Sequence, residues 1–515
     1  MRHIRSTLAL AAALTSQAAT AATPPAPEDF ARYVESVLAD TYRTDAPGVA
    51  VLVMRGDIVL YRGARGEADV AADVLLQPGD RFRIGSVTKP IAAAGLLTLV
   101  DAGKVALDDP LSKYLPDYPG GERVTVEQLL NHTSGIKDYT GIPGTMEGPI
   151  KLHLTTAQLA DYFKNEAPDF APGEGWMYSN SGYVLVGAII EAASGQPWHQ
   201  YLDQALFKPL GMRDTGYGAD RAVIARQVKG YIWGDGAPAA PLQISMTQPH
   251  AAGALVSTVD DLARFSRALH EQRVLEPATY ARMITPVGGA KDIGYAYGFE
   301  TSAVRGNPSL QHSGGIPGFT AHLTYVPGSR VMVAILHNCE TPSPAQEPRS
   351  LARRLAAAAL GDPYPAVSPV IVDVAVLKQY EGVYRVDELA TRTLRVVDGK
   401  LTVQRTDRPR EELTAIADDT FVYSDGFNRL QLERDASGIV TGMRFFAEGE
   451  GEGAVAALTD QALPATITLS RQALERLVVV FPGLLAGIVV LLIVLTFCIH
   501  AIEKSAGRRM VRRIR

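Results

Sequence analysis

The chain has 515 residues, a formal net charge of −5, 47% hydrophobic and 20% charged residues. A single core usually stops growing at about 250 to 300 residues, so two or three structural units are expected. The ordinary hydrophobic content excludes a disordered chain, and the slightly acidic balance supplies no electrostatic footprint for nucleic acid.

Residues 1–22 combine Arg2 and Arg5, the apolar run 7–14 and a small-residue stretch ending at Ala21 and Ala22. That three-part pattern predicts a secretory signal, with a mature chain from about Thr23. Residues 23–360 mix strand and helix patterns. The β-rich runs 48–54 and 58–61 flank Arg55-Gly56-Asp57, and 322–326 and 331–337 flank Pro327-Gly328, which predicts two hairpins sharing one antiparallel sheet. Helical patterns at 91–103, 156–165, 182–193 (ending at Gly195) and 260–271 would cover that sheet. Residues 361–376 open with GDPYPAVS, a linker rich in helix breakers.

Residues 377–460 carry short strand patterns at 380–386, 393–397, 401–405, 420–423, 430–433 and 442–446, with Asp398-Gly399 a strong hairpin turn. They predict a small antiparallel barrel or sandwich without catalytic features of its own. Residues 477–499 (LVVVFPGLLAGIVVLLIVLTFCI) hold no charge and are long enough as a helix to cross a hydrocarbon layer of about 30 Å. The basic tail 500–515, with Lys504, Arg508, Arg509, Arg512, Arg513 and Arg515, would then lie in the cytoplasm. The expectation is a single-pass membrane protein whose preceding units face the periplasm or exterior. With Cys498 in this span, Cys339 and Cys498 cannot form a disulfide framework.

A serine hydroxyl is a poor nucleophile near neutral pH and needs an adjacent base and donors for the oxyanion. Ser86-Val87-Thr88-Lys89 places serine and lysine three residues apart, on one face if helical, and the following apolar helix pattern can bury the lysine stem. A second copy, Ser134-Gly135-Ile136-Lys137, is followed by no helix pattern and is expected to be inert. Tyr178-Ser179-Asn180 precedes a helix; a tyrosine with a lowered pKa can relay protons, and Asn180 can orient lysine and substrate. His312-Ser313-Gly314-Gly315 lies just before the late strands, and the Gly315 N–H could join that of Ser86 as an oxyanion donor. The histidines form no HExxH motif or close ligand cluster, so no metal and no cofactor is expected.

In this order SVTK, YSN and HSGG resemble the penicillin-recognising serine hydrolases: class C β-lactamases, serine D-alanyl-D-alanine peptidases and related esterases. The resemblance extends through Leu107-Asp108-Asp109, VTVEQLLNHTSGI, PGEGWMYSN and AAGALVSTVDDLARF, over residues 24–360. It implies an α+β class C β-lactamase-like domain beside a helical subdomain. It also implies Ser86 as acylated nucleophile, Lys89 and Tyr178 as a joint proton relay, Asn180 as a positioning amide and His312, Ser313, Gly314 and Gly315 as the far wall of the cleft. β-Lactamases typically carry lysine where this chain has His312, so a D-alanyl-D-alanine carboxypeptidase or esterase acting on D-amino-acid peptides, small amides or esters is expected over a β-lactamase. A penicillin-binding sensor without turnover is the non-enzymatic alternative. The second unit resembles the accessory domains of the same superfamily through YEGVY.

Overall fold

The computed structural model describes residues 25–464 apart from residues 235, 341–345, 388–389, 407, 425 and 450. The signal expected at 1–22, the span at 477–499 and the tail at 500–515 lie outside the described residues. Among the described residues no helix is long and apolar enough to cross a membrane.

The first unit is built on one six-stranded antiparallel sheet. Its strands are β1 (Val49–Arg55), β2 (Ile58–Arg65), β3 (Glu300–Val304), β4 (Asn307–Ile316), β5 (Phe319–Val326) and β6 (Val331–His337), in the spatial order β3-β4-β5-β6-β1-β2. The earliest and latest segments meet at its centre, with Val49 opposite His337 and Arg55 opposite Val331. Both expected hairpins are present. Strand β4 carries little β signal, because Asn307, Pro308, Gly314 and Gly315 all have poor strand propensity.

Both faces of the sheet are covered, which is why β1 reads VAVLVM without polar alternation. On one face Val49, Val51, Val53, Val333 and Ile335 pack against helices α1 (Pro27–Thr41) and α6 (Pro348–Ala359). On the other face Ala50, Leu52, Ala334 and Leu336 join the main core with α2 (Thr88–Asp101), α4 (Asn180–Ser194) and α5 (Val259–His270). Helix α3 (Thr156–Phe163) packs its Leu159 and Phe163 into the same core.

Helix α2 is apolar on every side and is almost wholly buried, as a central core helix must be. Pro90 is its third residue, where a missing N–H leaves no helical bond unmade. Helix α4 is started by Ser179, whose hydroxyl accepts the Gly182 N–H, and stopped by Gly195 at φ 73.

The second unit is a closed eight-stranded antiparallel barrel filled by Tyr384, Leu394, Leu401, Phe421, Leu430 and Met443. Asp398 (φ 50) and Gly399 (φ 78) make the expected tight turn between Thr391–Val397 and Lys400–Arg405. Two strands beyond the six expected complete the closure: Arg410–Ala417 begins with charged REE and points much of itself to solvent, and Ala454–Leu458 is rich in alanine. The linker is stitched to the barrel by the Val370 N–H donating to the Ala415 carbonyl, and Arg354 of α6 lies 5.8 Å from the Phe427 ring centroid.

Candidate active site

Ser86 sits in the single 3-10 turn Gly85–Val87 that feeds α2. The turn is positioned by the short strand Phe82–Arg83, paired with Leu255–Ser257, so that Gly85 runs against β4. That approach allows no side chain. A Cβ on Gly85, whose φ is +48, would lie 2.8 Å from the Gly315 nitrogen, and one on Gly314 would lie 2.0 Å from the Ile84 carbonyl oxygen.

Lys89 follows one turn later on the same face and is 0% exposed. Its Nζ is 3.0 Å from Ser86 Oγ, 2.8 Å from Asn180 Oδ1 and 3.0 Å from the Ala252 carbonyl oxygen. Burial pulls its ammonium down to about 7, against the opposing pull of the Asp138 carboxylate. A neutral amine has two N–H donors and one lone pair. Asn180 Oδ1 and the Ala252 carbonyl can only accept, so they take both donors and leave the lone pair for the Ser86 hydroxyl.

Tyr178 closes the other side, its ring centroid 4.6 Å from Lys89 Nζ. Its acidity is the reverse of the lowered value expected from sequence. Burial among His132 (ring centroids 4.4 Å apart), Tyr295 and His312 holds the phenol well above its ordinary value, and its interaction with Ser86 offsets this only in part. Tyr178 is therefore held as the neutral phenol near neutral pH.

Asn180 is the first residue of α4, and its Nδ2 donates to Asp138 Oδ2 at 3.1 Å. Gly315 reaches the cleft opposite Ser86. His312 is 2% exposed and spends both ring nitrogens within the protein: Nδ1 donates to the Ser313 carbonyl (2.7 Å), and Nε2 accepts from the Tyr295 hydroxyl (2.9 Å). Burial lowers its pKa to about 3, which fixes it as neutral. The Ser313 hydroxyl is engaged by His322 Nδ1 at 2.9 Å. The second SxxK is structural: the buried Ser134 hydroxyl accepts the Ile136 N–H, while Lys137 pairs with Asp169 at 2.7 Å.

The cleft over Ser86 is small, with a volume of about 150 Å3. Its walls include Tyr139, Met146, Ile150, Ile244, Pro249 and Ile316, and among the described residues that line it, with Lys89 lying behind Ser86, there is no lysine, arginine, aspartate or glutamate. Two contributors to the site carry no sequence signal. Ala252 acts through its backbone oxygen, and Asp138 lies far from Asn180 in the chain, beside the second serine–lysine copy.

A neutralised lysine aimed at a serine hydroxyl, across from a glycine-bearing strand, is the arrangement of a serine hydrolase. The chain is a member of the Beta-lactamase family, whose model matches residues 30–358. It is 27% identical over 389 residues to penicillin-binding protein 4* of Bacillus subtilis, covering 70% of this chain and 85% of that protein. It is 36% identical over 285 residues to esterase EstB of Burkholderia gladioli, covering 51% and 67%. Among solved structures, D-amino acid amidase from Ochrobactrum anthropi SV3 in complex with D-phenylalanine superposes with a TM-score of 0.57 at 26% identity, covering 64% of this chain and 98% of the amidase.

Proposed function

We propose that this hydrolase cleaves small esters, amides and D-amino-acid peptides by two-step acyl transfer, with Ser86 as the acylated residue. The observation that carries the reading is the contact set of Lys89, whose two obligatory acceptors leave its lone pair facing Ser86 Oγ. Lys89 takes the hydroxyl proton as Oγ attacks the carbonyl carbon. The N–H groups of Ser86 and Gly315 receive the oxyanion. Tyr178, held protonated, gives its proton to the departing alcohol or amine as the carbon–heteroatom bond breaks, and the Lys89 ammonium restores it. Water then enters by the reverse route and releases the acid.

The charge-free cleft supports neutral substrates. A carboxylate-bearing penicillin or a C-terminal D-alanine would find no cation among the described cleft-lining residues, and His312 is neutral and turned to internal partners. Esterase and amidase activities are therefore placed ahead of β-lactamase and carboxypeptidase activities. Attachment through residues 477–499, with the hydrolase unit on the periplasmic or extracellular side, belongs to the same reading and rests on the apolar and basic patterns of the sequence.

The test is intact-mass analysis of the full-length chain after exposure to an activated ester and to a fluorescent penicillin, with Ser86→Ala as control. An adduct present in the wild type and lost in Ser86→Ala is the expected result. Equal labelling of the variant, or none of the wild type, overturns the assignment.

A further inference from the structure

We infer that Asp138 is a positioning residue for acyl transfer, setting which end of the Asn180 amide faces Lys89. The inference rests on the roles of Ser86 and Lys89 proposed above. Asp138 uses one carboxylate oxygen to accept the Thr140 N–H at 3.1 Å, capping the short turn Tyr139–Gly141, and the other to accept from Asn180 Nδ2 at 3.1 Å. An ionised carboxylate only accepts, so the amide nitrogen of Asn180 must point to Asp138 and its carbonyl oxygen to Lys89.

The direction of that amide decides whether Lys89 is a base. With Oδ1 toward Lys89, the neutral amine donates to Asn180 and to Ala252 and keeps its lone pair for Ser86. With the amide reversed, Asn180 would donate to Lys89 and occupy that lone pair, and the Ser86 hydroxyl would lose its acceptor. Nothing else bonded to Asn180 Nδ2 among the described residues imposes the productive direction. The acid also acts at a distance. The groups around Lys89 Nζ are Ser86, Asn180, the Ala252 carbonyl, the ring faces of Tyr178 and Tyr183 at 4.6 and 5.5 Å, and the buried neutral His132 and His312. Asp138 is the carboxylate that acts on Lys89, and its charge favours the ammonium.

The two effects separate in two variants. Asp138→Asn removes the charge but keeps one side-chain oxygen that can still accept from Asn180 Nδ2, while Asp138→Ala removes the charge and both acceptors. With the full-length chain and a chromogenic short-chain ester, the acid limb of the kcat/KM profile is expected to move down by about one pH unit in both variants. Asp138→Ala should also lose about 10²-fold in kcat with little change in KM, and Asp138→Asn should recover most of that loss. In an Asn180→Ala background, Asp138→Ala should cost no further kcat at a pH where Lys89 is neutral, because its effect passes through Asn180.

An unmoved acid limb with unchanged kcat in both variants, or a loss that adds fully to that of Asn180→Ala, overturns the inference. Mass labelling of Ser86 in the same preparations keeps the two readings apart. A labelled Ser86 with indifferent Asp138 variants removes only the role of Asp138. An unlabelled wild type removes the nucleophile and this role with it.

Discussion

Gly314 lies so close to Ile84 that a Cβ on the glycine would meet the Ile84 carbonyl oxygen at 2.0 Å and the Val87 nitrogen at 3.2 Å. The strand wall and the Ser86 turn are therefore in backbone contact, and the space between Ser86 and Gly315 is set by main chain.

Gly314→Ala should force β4 away from the Ser86 turn and open the oxyanion site. We expect kcat for a chromogenic ester to fall by about 10²- to 10³-fold, the scale of a lost oxyanion donor. Gly315, where an added Cβ meets nothing within 4 Å, is the control. Gly315→Ala should keep far more activity, and equal loss in the two variants would refute the steric account.

Activity should rise with pH through about 7, because the Lys89 ammonium has no lone pair and only the amine can accept the Ser86 proton. Lys89→Met should abolish turnover and acylation together. Retention of the acid limb at about 7 in Lys89→Met would show that a group other than Lys89 sets it.

His250, His312, His322 and His337 are buried and neutral, their pKa values lowered by burial to about 3. The unfolded chain binds protons at these residues near 6.5 while the folded one does not. Their contribution to stability is thus whole above about 6.5 and is lost as pH falls toward 3, by about 1.4 kcal/mol per pH unit for each histidine. Denaturant titrations of the chain between neutral pH and pH 5 should show this slope, above the range where most carboxylates titrate. His337→Gln should reduce it by one proton equivalent. A flat profile would mean that these rings are protonated in the fold.

His312→Lys should not create a β-lactamase. The new ammonium would replace a ring bonded to Tyr295 and Ser313, in a buried position that already lies within the field of Lys89. A buried charge without a partner costs about 3–5 kcal/mol. A large fall in melting temperature without turnover of a chromogenic cephalosporin is expected. Gain of cephalosporin turnover at unchanged stability would contradict the buried position of this residue.

The parts of the site that sequence makes legible are those joined by local geometry. Ser86 and Lys89 share a helical face, and Tyr178 and Asn180 flank the Ser179 cap of a helix whose start is visible in the residue pattern. The acceptors that orient Lys89 and Asn180 come from elsewhere. Asp138 is reached across a tertiary contact, and Ala252 contributes only a carbonyl, which every residue possesses. The acidity of Tyr178 was beyond reach for a related reason: it depends on His132, Tyr295 and His312 closing around the ring. In the fold, the hairpins at Gly56 and Pro327-Gly328 announce themselves, whereas β4 is concealed by its glycines, of which Gly314 is required by the approach to Ile84. The barrel strand Arg410–Ala417 is concealed by charges that belong on a solvent-facing surface.

The pairing of β1 with β6 also bears on the order of events during synthesis. Residues 66–299 are looped out between β2 and β3, so the strand that begins the sheet waits for its central partner until the chain has been made as far as His337. Contacts of such sequence separation make for slow, late closure. The serine is made early, but its glycine wall comes from β4, and β4 is held in register through β5 and β6. A chain interrupted before residue 337 therefore carries Ser86 and Lys89 without the completed sheet that holds Gly315 across from them.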